Sequence, residues 1–350
     1  MSSERILSEP TLSAPMPCAR IPIVSLGAGR MGRGIALAFA YAGMPVALVD
    51  FKSRSDEAWL RLRGEAMEEI RSSLSMLAEL GMLGDIDETR RKETMARILE
   101  KVELIRLEDS STSLRQAELV FEAVPETLEA KRDALERLCL HCSSSATIAS
   151  TTSTILVTDL VPMVSHPKRL LNAHWLNPAY VVPLVEISTH PGTDLEVLAK
   201  LKSLLESIGK VPIVCGPAPG FIVPRLQALI MNEAARMVEE GVASPEEIDK
   251  ATRYGLGFRF AALGVVEFID YGGNDILYHA SRYLAQALSP ERYTSPEIVN
   301  RMMVEGRNGL KDGQGFYDYS QVDVAAYRKD ALSRTLAMLK HLGLQRPPVL

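Results

Sequence analysis

The sequence predicts an α/β fold, a mostly parallel sheet with an inserted helical hairpin, followed by an all-helical C-terminal domain. Three observations predict it. Short apolar runs alternate with stretches of helical period from Ile21 to Ile187. The first such unit turns through a glycine-rich loop. Glycine and proline then cluster in CGPAPGF, residues 215–221, and strand-like runs stop there. Strands alternating with helices of this length fold as a parallel sheet wrapped on its faces.

Each element follows in order. Residues 1–20 are polar and proline-punctuated without an apolar h-region, which reads as a flexible tail rather than a secretory signal. IPIVSL, Ile21 to Leu26, is the first strand; GAGRMGRG turns, IALAFAYAG is helical, and PVALVD is the second strand, closing on Asp50. Trp59, Met67, Ile70, Leu74 and Leu77 recur at helical spacing from Ser55 to about Leu80, and a second helical stretch runs to about Leu99 after the break at Gly81–Gly84. Together they form the inserted hairpin, with mixed charges that suit a solvated face. Val102 to Leu107 is the third strand and Glu118 to Val124 the next; Pro125 opens a helix. Thr147 to Ser150, Leu170 to Trp175 and Leu184 to Ile187 follow as strands. From Phe221 on, the reading is helices only. The first runs to Gly241, with Met231 and Met237 suited to core or subunit contact. Ser244-Pro245-Glu246-Glu247 starts another with a serine cap and proline at the first position. Ser295-Pro296 marks a further start. The domains are therefore 1–20, 21–215 and 216–350, the last of them helical; the resemblance given below implies that it is the dimerisation and substrate domain.

The glycine turn has the physical requirements of a Rossmann-type dinucleotide site. Gly27 permits the tight turn, Gly29 lets backbone approach a pyrophosphate, and Gly32 allows close helix–strand packing. Asp50 lies about twenty residues on, where a carboxylate accepts hydrogen bonds from the adenine ribose and disfavours a 2′-phosphate. The cofactor expected is therefore NAD, although Lys52 and Arg54 beside Asp50 would tolerate a phosphate.

The stretch AHWLNPAYVVPLVEIS, residues 173–188, carries the chemistry. His174 stands in one apolar run and Glu186 in the next, and the prolines between them read as a turn joining two strands. A carboxylate on one imidazole nitrogen fixes the tautomer and makes the other a general base. The plain alternative is a core histidine with a structural ion pair. Ligands in open α/β sheets sit beyond the carboxyl ends of the strands. Glu126, Ser153 and His174 all fall at or just after such ends, on one rim with the nicotinamide.

Composition mainly excludes. The 350 residues carry a net charge of −5 with no dense basic cluster, so nothing points to nucleic acid. No apolar run reaches membrane-spanning length. Cys139-x-x-Cys142 has no second pair and, apart from His141, no neighbouring ligands, so no metal is expected. The absence of a signal and of a disulfide framework points to the cytoplasm.

With these residues in place, the chain resembles the 3-hydroxyacyl-CoA dehydrogenase superfamily from residue 21 to about 320. The resemblance rests on GAGRMGRGIA, VFEAVPE, ASTTST, HWLNP, PLVEI, PGFIVPRL, EEGVASPEEID and GQGFYDY. It implies an NAD-binding domain, then a helical domain that forms a homodimer. It implies that His174 is the general base, Glu186 its orienting carboxylate, and Ser153 and Asn177 the groups that position the reacting hydroxyl. It also implies that Arg30 and Met31 belong to the cofactor loop and that Glu126 and Lys131 lie by the cofactor. Taken alone, Ser153 reads as a helix cap or loop hydroxyl and Lys131 as a solvated helix charge. Pro224 stands where the family has asparagine, and Thr151 where asparagine is common. The segment GLGFRFAALG, residues 255–264, lacks the glycine–proline turn of the acyl-CoA enzymes and looks more like the lambda-crystallin and L-gulonate 3-dehydrogenase branch, whose members oxidise small free hydroxy acids. Arg259 in that segment suits a substrate carboxylate; its plain alternative is a surface or interdomain ion pair. The expected substrate is a small 3-hydroxy acid, with a 3-hydroxyacyl-CoA as the alternative and a crystallin-like structural protein as the second.

Overall fold

The computed structural model describes residues 22–346 and 348; the predicted N-terminal tail lies outside the described residues. The chain forms two compact units, one ending at Ile230 and the other beginning at Met231.

The first unit is built on an eight-stranded sheet: β1 (Ile23–Leu26), β2 (Val46–Val49), β3 (Val102–Ile105), β4 (Leu119–Glu122), β5 (Thr147–Ser150), β6 (Leu170–Trp175), β7 (Leu184–Ser188) and β8 (Val211–Cys215). Their spatial order is β3-β2-β1-β4-β5-β6-β7-β8. All neighbours are parallel except β6 and β7. Strands β1, β4, β5 and β6 are buried along their whole length, which is why they read as continuous apolar runs. The helices are α1 (Arg30–Tyr41), α2 (Asp56–Glu79), α3 (Glu88–Leu99), α4 (Ser111–Gln116), α5 (Leu128–His141), α6 (Val157–Leu160) and α7 (Leu195–Ser207). One apolar cluster joins α1, α2 and α7 to the sheet through Phe39, Phe121 and Trp175, whose ring centroids lie 5.6 to 6.1 Å apart. A second joins Val24, Leu26 and Val49 to α5 and α6. The predicted hairpin is α2 and α3, capped by Ser55 and Asp87.

Several predicted boundaries move, and elements that the sequence left unassigned appear, among them α4, α6, α7 and β8. Pro125 does not open α5. Thr127 does, by accepting from the Ala130 N–H at 3.2 Å. Strand β4 stops at Glu122, because that carboxylate turns back to accept from the Val124 N–H at 2.9 Å. The sequence reading assigned nothing between Ile187 and Cys215, yet α7 and β8 lie there. Pro212 hides β8 from a pattern reading; a proline is tolerated because β8 is an edge strand, where one side of the ladder is unpaired.

Helix α8 (Val223–Glu239) leads from the first unit into the second. The second holds α9 (Pro245–Ala251), α10 (Phe258–Ala262), α11 (Val265–Gly272), α12 (Asn274–Ala287), α13 (Pro290–Tyr293), α14 (Glu297–Val304) and α15 (Val324–His341). Ser244 caps α9 as read from the sequence. Residues Thr252–Gly257 wind as a wider π-helical turn; the expectation of helices only is corrected where Gln314 bridges Gly309 and Asp318 in short antiparallel pairs. The buried Asp270 accepts from the Phe316 and Tyr317 N–H groups at 3.0 and 2.8 Å and folds that loop back.

Candidate active site

The parallel strands deliver the predicted residues to one rim. Gly27 follows β1, Asp50 follows β2, Glu126 lies beyond β4, Ser153 beyond β5, and His174 is the last residue but one of β6.

The glycine turn accommodates a dinucleotide. Gly27 has φ +112°, and a Cβ there would meet the Ala123 carbonyl oxygen at 2.5 Å. A Cβ on Gly32 would meet the Gly27 carbonyl oxygen at 1.9 Å, so α1 packs against the turn only because that hydrogen is all there is. Beside Gly29 there is open space at the N-terminus of α1, where helix N–H groups attract phosphate charge. Asp50 is buried at the end of β2. Its carboxylate is already engaged: the Arg54 Nε donates to it and the Lys52 N–H lies at 3.3 Å. Arg54 is thus held by Asp50. A 2′-phosphate would face the carboxylate itself, so NAD should be used with higher kcat/KM than NADP. Asp50→Ala should narrow the ratio, because it both removes the like charge and frees Arg54. Steady-state kinetics with the two cofactors check this; equal kcat/KM in the unmutated protein overturns it.

His174 and Glu186 meet across the antiparallel pair of strands, directly opposite in register. Imidazole Nδ1 and carboxylate Oε2 are 2.7 Å apart, with Glu186 fully buried. Because Glu186 can only accept, Nδ1 carries the proton and Nε2 is left to accept one. The other carboxylate oxygen accepts from the Ile222 and Val223 N–H groups at 3.0 and 2.8 Å, where the chain enters α8. The opening backbone of that helix thereby supports the charge. On its face the ring stacks on Phe221, centroids 5.4 Å apart and planes 11° from parallel. Phe221 is the one described non-glycine residue with positive φ, at +45°. A strained residue is kept where the surroundings over-determine it, here packed on the imidazole.

Lys131 is corrected most. It is no solvated charge: Lys131 and Glu122 are both completely buried, with Nζ 3.1 and 3.0 Å from the two carboxylate oxygens. Ser150 donates to the same carboxylate at 2.5 Å. Lys131 also reaches the Glu126 carboxylate at 3.4 Å. Glu126 in turn gathers the loop after β5. Its Oε1 accepts from the Thr152 hydroxyl, from the Ser153 and Thr154 N–H groups at 2.9 and 3.1 Å, and from the Thr154 hydroxyl at 3.0 Å. Burial opposes its charge, but those bonds and Lys131 prevail and hold its carboxyl below the usual range. Ser153 stands exposed on that loop, and Asn177 is exposed just past β6. The turn after Asn177 is held from behind by Lys210, which donates to the Ala179 and Val182 carbonyls at 2.7 and 2.9 Å. Burial pushes the Lys210 amine down to about 8.

Arg259, on α10, donates from Nε to the Gly255 carbonyl at 2.9 Å and lies over Phe268 at 5.0 Å. Met31 packs, half-buried, against the larger apolar cluster. Sequence reasoning missed Phe221, Glu122, Ser150 and Lys210. Only Glu122, one charge inside an apolar strand, left a readable signal. Among the described residues no group of three or more His, Cys, Asp or Glu stands close enough to hold a metal ion. No described helix is long and apolar enough to cross a membrane.

Comparison with known proteins agrees with this geometry. Residues 22–218 match the model of the 3-hydroxyacyl-CoA dehydrogenase NAD binding domain, and residues 220–319 that of the 3-hydroxyacyl-CoA dehydrogenase C-terminal domain. The chain is 34% identical over 319 residues to 3-hydroxyadipyl-CoA dehydrogenase of Escherichia coli (strain K12); that covers 91% of this chain but 63% of that longer protein. It is 28% identical to 5-formyl-3-hydroxy-2-methylpyridine 4-carboxylate 5-dehydrogenase of Mesorhizobium japonicum, over 91% of this chain and 97% of that one. Among solved structures, 3-hydroxyacyl-CoA dehydrogenase from Archaeoglobus fulgidus superimposes with a TM-score of 0.69 at 31% identity, over 92% of this chain and 99% of that chain. The chain belongs to the 3-hydroxyacyl-CoA dehydrogenase family of NAD-dependent oxidoreductases.

Proposed function

We propose that this protein oxidises the 3-hydroxyl of small 3-hydroxy acids to the 3-keto product. The buried His174–Glu186 pair carries the reading, because a neutral imidazole with its Nδ1 proton fixed is a base at Nε2. NAD, when bound, supplies the acceptor for the hydride that leaves C3. The alcohol proton passes to His174 Nε2 as that hydride departs, and Glu186 stabilises the imidazolium formed. Ser153 and Asn177 hydrogen-bond the oxygen as it becomes a carbonyl. Arg259 takes the acid's carboxylate with its terminal nitrogens, Nε being committed to Gly255.

A free acid is supported by the Mesorhizobium japonicum relative, whose name gives a carboxylate, not a thioester. The name of the Escherichia coli relative favours a second reading, a 3-hydroxyacyl-CoA substrate. Steady-state NAD reduction with free 3-hydroxy acids beside their CoA thioesters decides between them. The acids should show the higher kcat/KM, and Arg259→Met should raise KM for them about tenfold while sparing any thioester. A strong preference for the thioester, with Arg259→Met silent, overturns the free-acid reading.

We also propose a homodimer. Helix α8 buries none of its residues and exposes Leu226, Leu229, Ile230 and Val238, an apolar surface that suits a second copy. Sedimentation as a monomer at micromolar concentration would sink this. The unpaired Cys139, Cys142 and Cys215 support a cytoplasmic location, checked by cell fractionation.

A further inference from the structure

A cleft of about 300 Å³ opens beside Asn177. Its walls are the first turns of α1 with Arg30 and Arg33, the middle of α2 with Glu69 and Ser73, and the turn from Asn177 to Tyr180. Asn177 and Arg30, given roles above at the reacting hydroxyl and in the cofactor loop, border it, and the rest of its lining has no role so far.

Its charge is unequal to its needs. Arg33 is committed, with Nη1 on the Glu69 carboxylate and Nε donating to the Ala28 carbonyl at 2.8 Å. Arg30 is exposed, and among the described residues its side chain has no hydrogen bond, ion pair or ring contact. Two guanidiniums against one carboxylate leave one positive charge on the cleft. The glycine motif engages a dinucleotide through backbone at the start of α1, which leaves the Arg30 side chain for another ligand. A guanidinium presents a planar fork that matches a carboxylate, and Ser73 and Asn177 add neutral hydrogen-bonding groups beside it. One unpaired positive charge suits a monoanion. A diphosphate would be only half neutralised there and would face Glu69.

We propose that this cleft is a substrate subsite in which Arg30 receives a second carboxylate, making 3-hydroxy dicarboxylic acids the substrate class. The proposal rests on the reading that Asn177 faces a 3-hydroxy acid substrate.

The test compares 3-hydroxyglutarate and 3-hydroxyadipate with 3-hydroxybutyrate at saturating NAD, in the unmutated protein, Arg30→Leu and Arg30→Lys. The unmutated protein should favour a dicarboxylate by roughly 10–100-fold in kcat/KM, the range of one charge-assisted contact. Arg30→Leu should bring that ratio close to one, and Arg30→Lys should keep part of it. No preference in the unmutated protein, or a preference that survives Arg30→Leu, overturns the subsite. So does an Arg30→Leu effect confined to KM for NAD, which would give the guanidinium to the cofactor. Calorimetry of glutarate and butyrate binding to the protein–NADH complex reads the cleft without turnover. Glutarate should bind about tenfold more tightly, and Arg30→Leu should remove the difference; equal affinities overturn the proposal. Selective glutarate binding in a protein that oxidises no 3-hydroxy acid would keep the subsite and overturn the proposed function instead.

Discussion

His174→Ala should lower kcat by roughly 10²–10⁴, the usual contribution of a positioned general base, while NADH affinity stays near that of the unmutated protein. The split follows from the geometry. His174 faces Glu186 and Phe221, whereas the glycine turn and Asp50 lie at the ends of β1 and β2. Glu186→Gln should do less to kcat than losing the ring. Its oxygen can still accept from Ile222 and Val223, but its amide then points a donor at the protonated Nδ1 and favours the wrong tautomer. Single-turnover measurement of hydride transfer isolates the step. Full turnover by His174→Ala on the best substrate found would show that the base lies elsewhere.

Lys131→Met should cost stability on the order of 3–5 kcal/mol, because it leaves the Glu122 carboxylate buried without its counter-charge. Urea unfolding measures this. The double variant Lys131→Met, Glu122→Gln should recover a good part of the loss, since neither buried charge then remains. Such recovery would separate an uncompensated charge from a simple packing defect. The single variant should also loosen Glu126, which Lys131 approaches at 3.4 Å, and with it the loop carrying Ser153. A Lys131→Met protein within about 1 kcal/mol of the unmutated one would mean that Glu122 is protonated or reaches water, and the pair would not be the clamp described.

The parts legible in the sequence are those whose physics is local. The first strand, glycine turn, helix and second strand are read from apolar period and from glycines, and the structure repeats them because a Cβ at Gly27 or Gly32 would strike backbone. The hairpin is equally local, set by helical spacing and by the Ser55 and Asp87 caps. The histidine and glutamate strands are legible too, since the prolines between them leave little but a turn. Strand β8 reads as a short apolar run, VPIVC, but Pro212 within it argues against a strand until the structure places it at the sheet edge.

Lys131 shows the limit most clearly. On α5 it is one charge among several, and helical period alone cannot say that the next turn packs over β4 and β5. Glu122 and Ser150, on the neighbouring strands β4 and β5, decide that it is buried and paired. The same holds for Phe221 and the two N–H groups behind Glu186, which matter only because α8 begins beside β7. Arg30 and Arg33, three residues apart in one motif, are alike in sequence. Glu69 from α2 neutralises one and leaves the other free. By itself the sequence determined the strand–helix alternation, the dinucleotide turn and the facing of a histidine strand by a glutamate strand, because each depends on period, backbone sterics or turn chemistry at short range. Which charges are buried, which are spoken for and which face a ligand was decided only by the tertiary structure, because a charge's environment is set by groups that folding brings in from elsewhere in the chain.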